Sequence, residues 1–109
     1  MIIHENGSAR SGTRPPYDLI PREALDAIAE RFAVGMERYG RDNWRKGGPE
    51  FFRDAVNHAI YHLLDFASGD SSEETPEQNL GAGLWNLVVV CWWERKGKKQ
   101  WEESHKLPA

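Results

Sequence analysis

Apolar side chains recur at helical spacing in three separate stretches, and glycine or proline stands at nearly every boundary between them. In the first stretch Leu25, Ile28, Phe32, Met36 and Tyr39 fall on one stripe, the three- and four-residue rhythm of an amphipathic helix. Pro21 is preorganised for a first helical position and Gly40 supplies a stop. In the second stretch, from about Glu50 to Ser68, the apolar face is Phe52, Ala55, Val56, Ala59, Ile60, Leu63 and Ala67, and Gly69 follows it. The third opens on Thr75-Pro76-Glu77-Gln78, with Thr75 as N-cap, Pro76 at the first position and Gln78 reaching back to close a capping box. Val88-Val89-Val90 leans towards strand by propensity, but the length of the apolar stretch and the capping box argue for a helix to about Arg95, with Gly97 as its end. The expected fold is all-α, a small bundle of three main helices.

Three helices in 109 residues bury little surface. Trp85, Trp92, Trp93 and Trp101 present more aromatic surface than one such monomer covers easily. A homo-oligomer is therefore expected, with the third helix at its interface. Gly81 and Gly83 each weaken an isolated helix by about 1 kcal/mol, and they make sense where another backbone or a ligand comes close. Residues 1–16 contain Gly7, Ser8, Ser11, Gly12 and Pro15-Pro16 and read as a flexible N-terminal arm. Arg10 and Arg14 make it basic; it is either a loose terminus or an arm that folds over a ligand or partner subunit. A helical domain then spans 17–97, and 98–109 is a mostly polar C-terminal tail carrying Trp101.

A net charge of −3 with 28% charged residues fits neither an acidic disordered tail nor a strongly basic nucleic-acid binder. The most apolar run, Leu84 to Trp93, is about half the roughly 20 residues of a spanning helix, and Asn86 interrupts it. No apolar signal stretch follows Met1-Ile2-Ile3. The single cysteine, Cys91, cannot form an intramolecular disulfide, suits a reducing compartment, and excludes a Cys-rich zinc module. A cytoplasmic protein without a membrane partner is the expectation.

Carboxylates are the first candidates for chemistry, because magnesium takes oxygen ligands and keeps several waters while touching phosphates. Glu30 and Glu37 lie two turns apart on the first helix; Asp54 and Asp65 lie on the second; Asp70, Glu73, Glu74 and Glu77 precede or open the third. For Glu73 and Glu74 a helix-dipole role stands equally beside the metal-ligand reading. His58 and His62 are four apart and can face one site. Zinc would need a third strong ligand, so they suit hydrogen bonding, a phosphate, or a purely structural place. Gly40 to Pro49 reads as a loop, and its Arg41–Lys46 part is the clearest anion binder: Arg41, Arg45 and Lys46 are cationic, Gly47 and Gly48 free the backbone, and Asn43 and Trp44 can meet a base. Trp44 also reads as a core plug. Asn79 and Asn86 share one stripe of the third helix, and Cys91, in an apolar helix, is expected to be inert.

Several stretches occur together in a telling order: Arg14-Pro15-Pro16-Tyr17-Asp18-Leu19-Ile20-Pro21 with Ala24-Leu25; Gly35-Met36-Glu37-Arg38-Tyr39-Gly40 with Asn43-Trp44-Arg45-Lys46-Gly47; Asn57-His58-Ala59 with His62-Leu63; Gly69-Asp70; and Glu77-Gln78-Asn79-Leu80 with Leu84-Trp85-Asn86. This order, over about residues 14–94, resembles the phage-encoded dATP/dGTP diphosphohydrolase-like family, itself similar to the MazG-type all-α nucleotide pyrophosphohydrolases. The Tyr-Gly-x-x-Asn-Trp segment is its most specific part. The resemblance implies that 17–97 is a nucleotide-binding domain. It implies cleavage of a nucleoside triphosphate between the α- and β-phosphates, with magnesium or manganese held by carboxylates between helices. Carried over by position, Glu37, Asp70 and Glu77 are the catalytic and metal-site candidates. The substrate-binding candidates are Arg41, Asn43, Trp44, Arg45, Lys46, His58, His62 and Asn86.

The chain departs from the pattern. MazG-type enzymes show two Glu-x-x-Glu/Asp pairs on successive helices. Here the first helix is read as offering only Glu30 and Glu37, and Glu74 to Glu77 straddles a helix start. Gln78 and Asn79 stand where many relatives carry an acid and a His, and Ala82 where they carry a second His. The leading functional expectation is a metal-dependent deoxynucleoside triphosphate pyrophosphohydrolase, phage-type and so acting in a host cytoplasm. The alternative is a non-catalytic protein that sequesters a host nucleotide signal, cyclic ones included. A third is an interaction protein whose Trp residues dock a partner.

Overall fold

A computed structural model describes residues 2–3, 9–10, 14–69 and 73–106. The fold is all-α, as the periodicity predicts. Its main helices are α1 (Arg22–Tyr39), α2 (Pro49–Ser68) and α3 (Pro76–Trp92), and a short α4 (Lys98–Ser104) follows. In the N-terminal arm, Ile2–Ile3 pairs antiparallel with Ala9–Arg10 in a two-residue ladder. Single 3₁₀ turns form at Tyr17–Leu19 and Asn43–Lys46. The second falls in the segment read as a glycine loop; its four residues contain no glycine, and the glycines flank it.

The local stop and start signals operate as expected. Gly40 and Gly69 close α1 and α2 with positive φ. At the start of α3 the Gln78 backbone N–H donates to Thr75 Oγ1 at 3.2 Å, and the Thr75 N–H donates to Gln78 Oε1 at 2.9 Å. Pro21 caps α1 and sits one residue outside it, its carbonyl accepting from the Ala24 and Leu25 amides.

α3 is the central helix. Along one side α2 runs antiparallel to it: Phe52 meets Trp92 and Trp93, and Leu63 and Ala59 meet Gly83. Along the other side lies α1, with Phe32 edge-on to Trp85 and the Ala27 carbonyl beside Gly81. A Cβ on Gly83 would stand 2.8 Å from Leu63 Cδ2. The glycines of α3 therefore admit the neighbouring helices, which offsets their poor helix propensity. The core is Phe52, Ala55, Val89 and Trp93, surrounded by half-buried Phe32, Trp44, Trp85, Trp92 and Trp101. Phe52 stacks on Trp93 with ring centroids 4.5 Å apart.

Three expectations need correction. Gly97 does not end the third helix: its φ of −62° and ψ of −40° are helical, and the chain passes through a π-helical turn at Trp93–Gly97 into α4. The reason is packing. A Cβ at Gly97 would strike the Trp92 ring, so glycine here makes room for an indole, and the wider turn brings Trp101 back onto Trp93. Second, the tryptophans are largely covered within the protomer. Third, the apolar stripes of the first two helices are only partly used. Leu25, Met36 and Tyr39 on α1 and Val56 and Ile60 on α2 are exposed, as is Leu64 outside the stripe, because α2 packs against α3 and leaves its other face open. α3, the expected interface helix, is instead the most buried one, with Leu87 its one large apolar side chain among those exposed. No helix is long and apolar enough to cross a membrane among the described residues.

Candidate functional site

Two adjoining cavities occupy the α1 side of the molecule. The first, about 420 Å³, lies between the C-terminal half of α1, the following loop, Phe51 and Trp85. Its walls are aromatic and cationic: Phe32, Trp44 and Trp85 with Arg38, Arg41 and Asn43. Phe32 holds the two indoles apart, 5.9 Å from Trp44 and 5.7 Å from Trp85 between ring centroids. The Trp85 Nε1–H is buried with no hydrogen-bond partner among the described residues, an unused donor costing about 1–3 kcal/mol. Ring faces flanked by guanidinium and carboxamide groups are what a nucleobase with an anionic tail needs.

The second cavity, about 680 Å³, runs between α1 and the start of α3. Glu23, Asp26 and Glu30 line it from α1, and Glu77 from α3. Arg31 and Val34 belong to both cavities. Oxygen donors of this kind suit a hard divalent cation. No three His, Cys, Asp or Glu side chains converge closely enough to hold a metal among the described residues. The donor chemistry fits magnesium or manganese, then, but the described residues do not gather a finished centre.

Behind Arg31 stands a polar chain that crosses all three helices. Arg31 Nη1 donates to Glu74 Oε1 at 2.8 Å. His62 Nδ1 lies 3.3 Å from Glu74 Oε2 and 3.0 Å from Asn79 Oδ1. Two oxygen acceptors facing one ring nitrogen put the imidazole proton on Nδ1. Asn79 is buried, and its Nδ2 has no partner among the described residues.

The candidates read from sequence are distributed unevenly. Arg41, Asn43 and Trp44 line the aromatic cavity. Arg45 and Lys46 do not: they face a separate cavity of about 220 Å³ beside Trp92 and His105. Arg45 is drawn there by the indole faces of Trp44 and Trp92, 5.0 and 5.5 Å from its guanidinium carbon, and by Asp42. His58 and His62 do not share a site. His58 is exposed and pairs with Asp54 one turn back, whereas His62 turns inward to Glu74. The 40° by which residues four apart differ on a helix is enough to separate a surface position from a half-buried one. Asn86 is buried in α3, its Nδ2 donating to the Ala82 carbonyl. Glu77 lies in the acid-lined groove; Glu37 continues the same stripe of α1 past Val34, beyond that groove's lining; Asp70 lies outside the described residues. Cys91 is exposed.

Sequence reading overlooked Glu23, Arg31 and the role of Glu74. The Glu23-x-x-Asp26 spacing on the first helix was an available signal: it sets two carboxylates one turn apart, and both line the groove. Arg31 carried no signal, because its partner is 43 positions away.

The α1 side of this small all-α bundle thus carries an aromatic, cationic cavity beside an acid-lined groove. A family model for the N-terminal domain of dATP/dGTP diphosphohydrolase matches residues 4–103, and the chain belongs to that family. No curated protein and no solved structure matches it.

Proposed function

We propose that the chain binds a purine deoxynucleoside triphosphate and hydrolyses it to the monophosphate and pyrophosphate. The observation that carries this reading is the adjacency of the two cavities through Arg31 and Val34, in a chain of this family. The base enters the aromatic cavity, between the rings of Trp44, Phe32 and Trp85. Asn43 offers both a donor and an acceptor to the base edge, and Arg38 and Arg41 meet anionic oxygens. The phosphate chain then extends towards the groove. Glu23, Asp26, Glu30 and Glu77 would supply oxygen donors to magnesium or manganese, and would have to draw closer together than they stand here to do so. A bound ion of that kind supplies charge neutralisation on the phosphates and a more acidic water. In the reaction a water oxygen bonds to the α-phosphorus, the bond from that phosphorus to the bridging oxygen breaks, and pyrophosphate leaves.

A second copy of the chain is part of the proposal. Val56, Ile60 and Leu64 recur every four residues on α2 and are exposed, a stripe that another protomer would cover. The substrate pool is that of the cytoplasm.

The test is incubation with a panel of deoxynucleoside triphosphates and cyclic nucleotides, with magnesium or manganese, analysed by chromatography before and after heat denaturation. Monophosphate and pyrophosphate in equal amounts, lost on chelation, are expected. A nucleotide removed from solution and returned intact on heating would replace hydrolysis with sequestration. No change in any nucleotide would sink both.

A further inference from the structure

We propose that Arg31 grips the phosphate chain of the bound nucleotide where the aromatic cavity meets the acid-lined groove, and that Glu74, braced by His62, positions its guanidinium. This inference rests on the nucleotide-binding reading above and assigns the residue that recognises the charged part of the ligand.

The argument is electrostatic and geometric. Among the described residues four carboxylates line the groove, and Arg31 is the one cation beside them. A polyphosphate entering there meets like charge unless a cation stands at the threshold. Arg31 stands there, in the wall common to both cavities. Its side chain is 29% exposed, so it is neither buried as a structural ion nor free in solvent. Glu74 engages only Nη1. Nε and Nη2 have no partner among the described residues, which leaves an edge of the planar fork for phosphate oxygens. A carboxylate holding one corner of a guanidinium restricts the rotamers of a long side chain, so less entropy is lost when a ligand binds. Glu74 is fixed in turn by His62 Nδ1 at 3.3 Å, and His62 by the buried Asn79 at 3.0 Å. Arg38 and Arg41 line the aromatic cavity alone and do not reach the groove.

The experiment uses α,β-methylene deoxyguanosine triphosphate, which cannot be cut between those phosphates, and deoxyguanosine, with calorimetric titration of the full chain. The wild-type chain tests the nucleotide reading; the variants test this inference. Arg31→Ala should weaken the analogue at least about tenfold, the scale of one charge-assisted hydrogen bond, and leave deoxyguanosine within about twofold. Glu74→Gln should alter analogue affinity in the wild-type background and have no further effect in Arg31→Ala, because it acts through Arg31. Arg31→Ala takes the guanidinium away from a half-buried carboxylate that His62 still faces. Should that chain not fold, the double variant Arg31→Met with Glu74→Gln removes both charges together, and the same selective loss is expected. Equal loss for analogue and nucleoside, or no loss for the analogue, overturns the assignment. A Glu74→Gln effect that persists without Arg31 overturns the positioning role. A wild-type chain that binds neither probe overturns the nucleotide reading, and this inference with it.

Discussion

Replacing Gly97 with alanine should destabilise the protein, although helix propensity alone predicts the reverse. Gly97 is helical, and alanine at an open helical position stabilises by about 1 kcal/mol relative to glycine. Here the new Cβ would stand 2.6 Å from Cη2 and 2.8 Å from Cε3 of Trp92, and nearer still to Cζ3. The indole cannot swing aside easily. Trp44 is edge-on to it with centroids 5.0 Å apart, and Phe52 lies 6.0 Å away. Overpacking of this kind costs roughly 1–3 kcal/mol. An indole held on two sides puts the cost at the upper end, about 3 kcal/mol. Subtracting the propensity gain leaves a net loss of about 2 kcal/mol, or roughly 10 °C in Tm for a chain of this size. Urea titration followed by tryptophan fluorescence, with a thermal melt by circular dichroism, measures both. Gly35→Ala is the internal control. Gly35 lies inside α1 with no heavy atom within 4 Å of its would-be Cβ, so this change should stabilise by about 0.5–1 kcal/mol. A Gly97→Ala chain as stable as the parent, or more so, would refute the close approach of Trp92 and with it the reason given for the π-helical turn.

Other outcomes follow from the same geometry. Thr75→Ala removes the capping box and should cost about 1 kcal/mol by urea titration. Trp44→Ala should weaken deoxyguanosine binding and lower Tm together, because the ring packs on Phe32 and Trp92 while lining the cavity; loss of stability with unchanged nucleoside affinity would return Trp44 to the core alone. Glu30→Gln and Glu77→Gln should each cut pyrophosphate release by at least about tenfold, with the fold intact by circular dichroism; full activity in both would remove the groove from the reaction. Light scattering on a gel-filtration column should give a mass above the 12.5 kDa of one chain, and Ile60→Glu should shift it towards that value; a monomer at all concentrations would leave the α2 stripe without the partner proposed for it.

What could be read from the residues in order was local. Helix periodicity, the Thr75–Gln78 box and the glycine stops at Gly40 and Gly69 are interactions among positions within about four residues of one another, so the chain states them directly. The family was legible for a similar reason, since its motifs are short and contiguous. The faces were less so. An apolar stripe declares that something covers it, and only the packing of α2 against α3 decided that Ala59 is covered and Ile60 is not. Gly97 shows the same limit: as a residue it signals a stop, but a ring packed against it made it part of a continuing helix. The site was the least legible. His58 and His62 look like a pair and point to different neighbours. Arg45 and Lys46 belong to the loop of Arg41 but face another cavity; two indole faces and Asp42 hold the Arg45 guanidinium there. The contact that joins the two cavities to the interior, Arg31 with Glu74, spans 43 residues; such a pair exists only once three helices have packed, because burial and distance in space, not spacing along the chain, set its electrostatics.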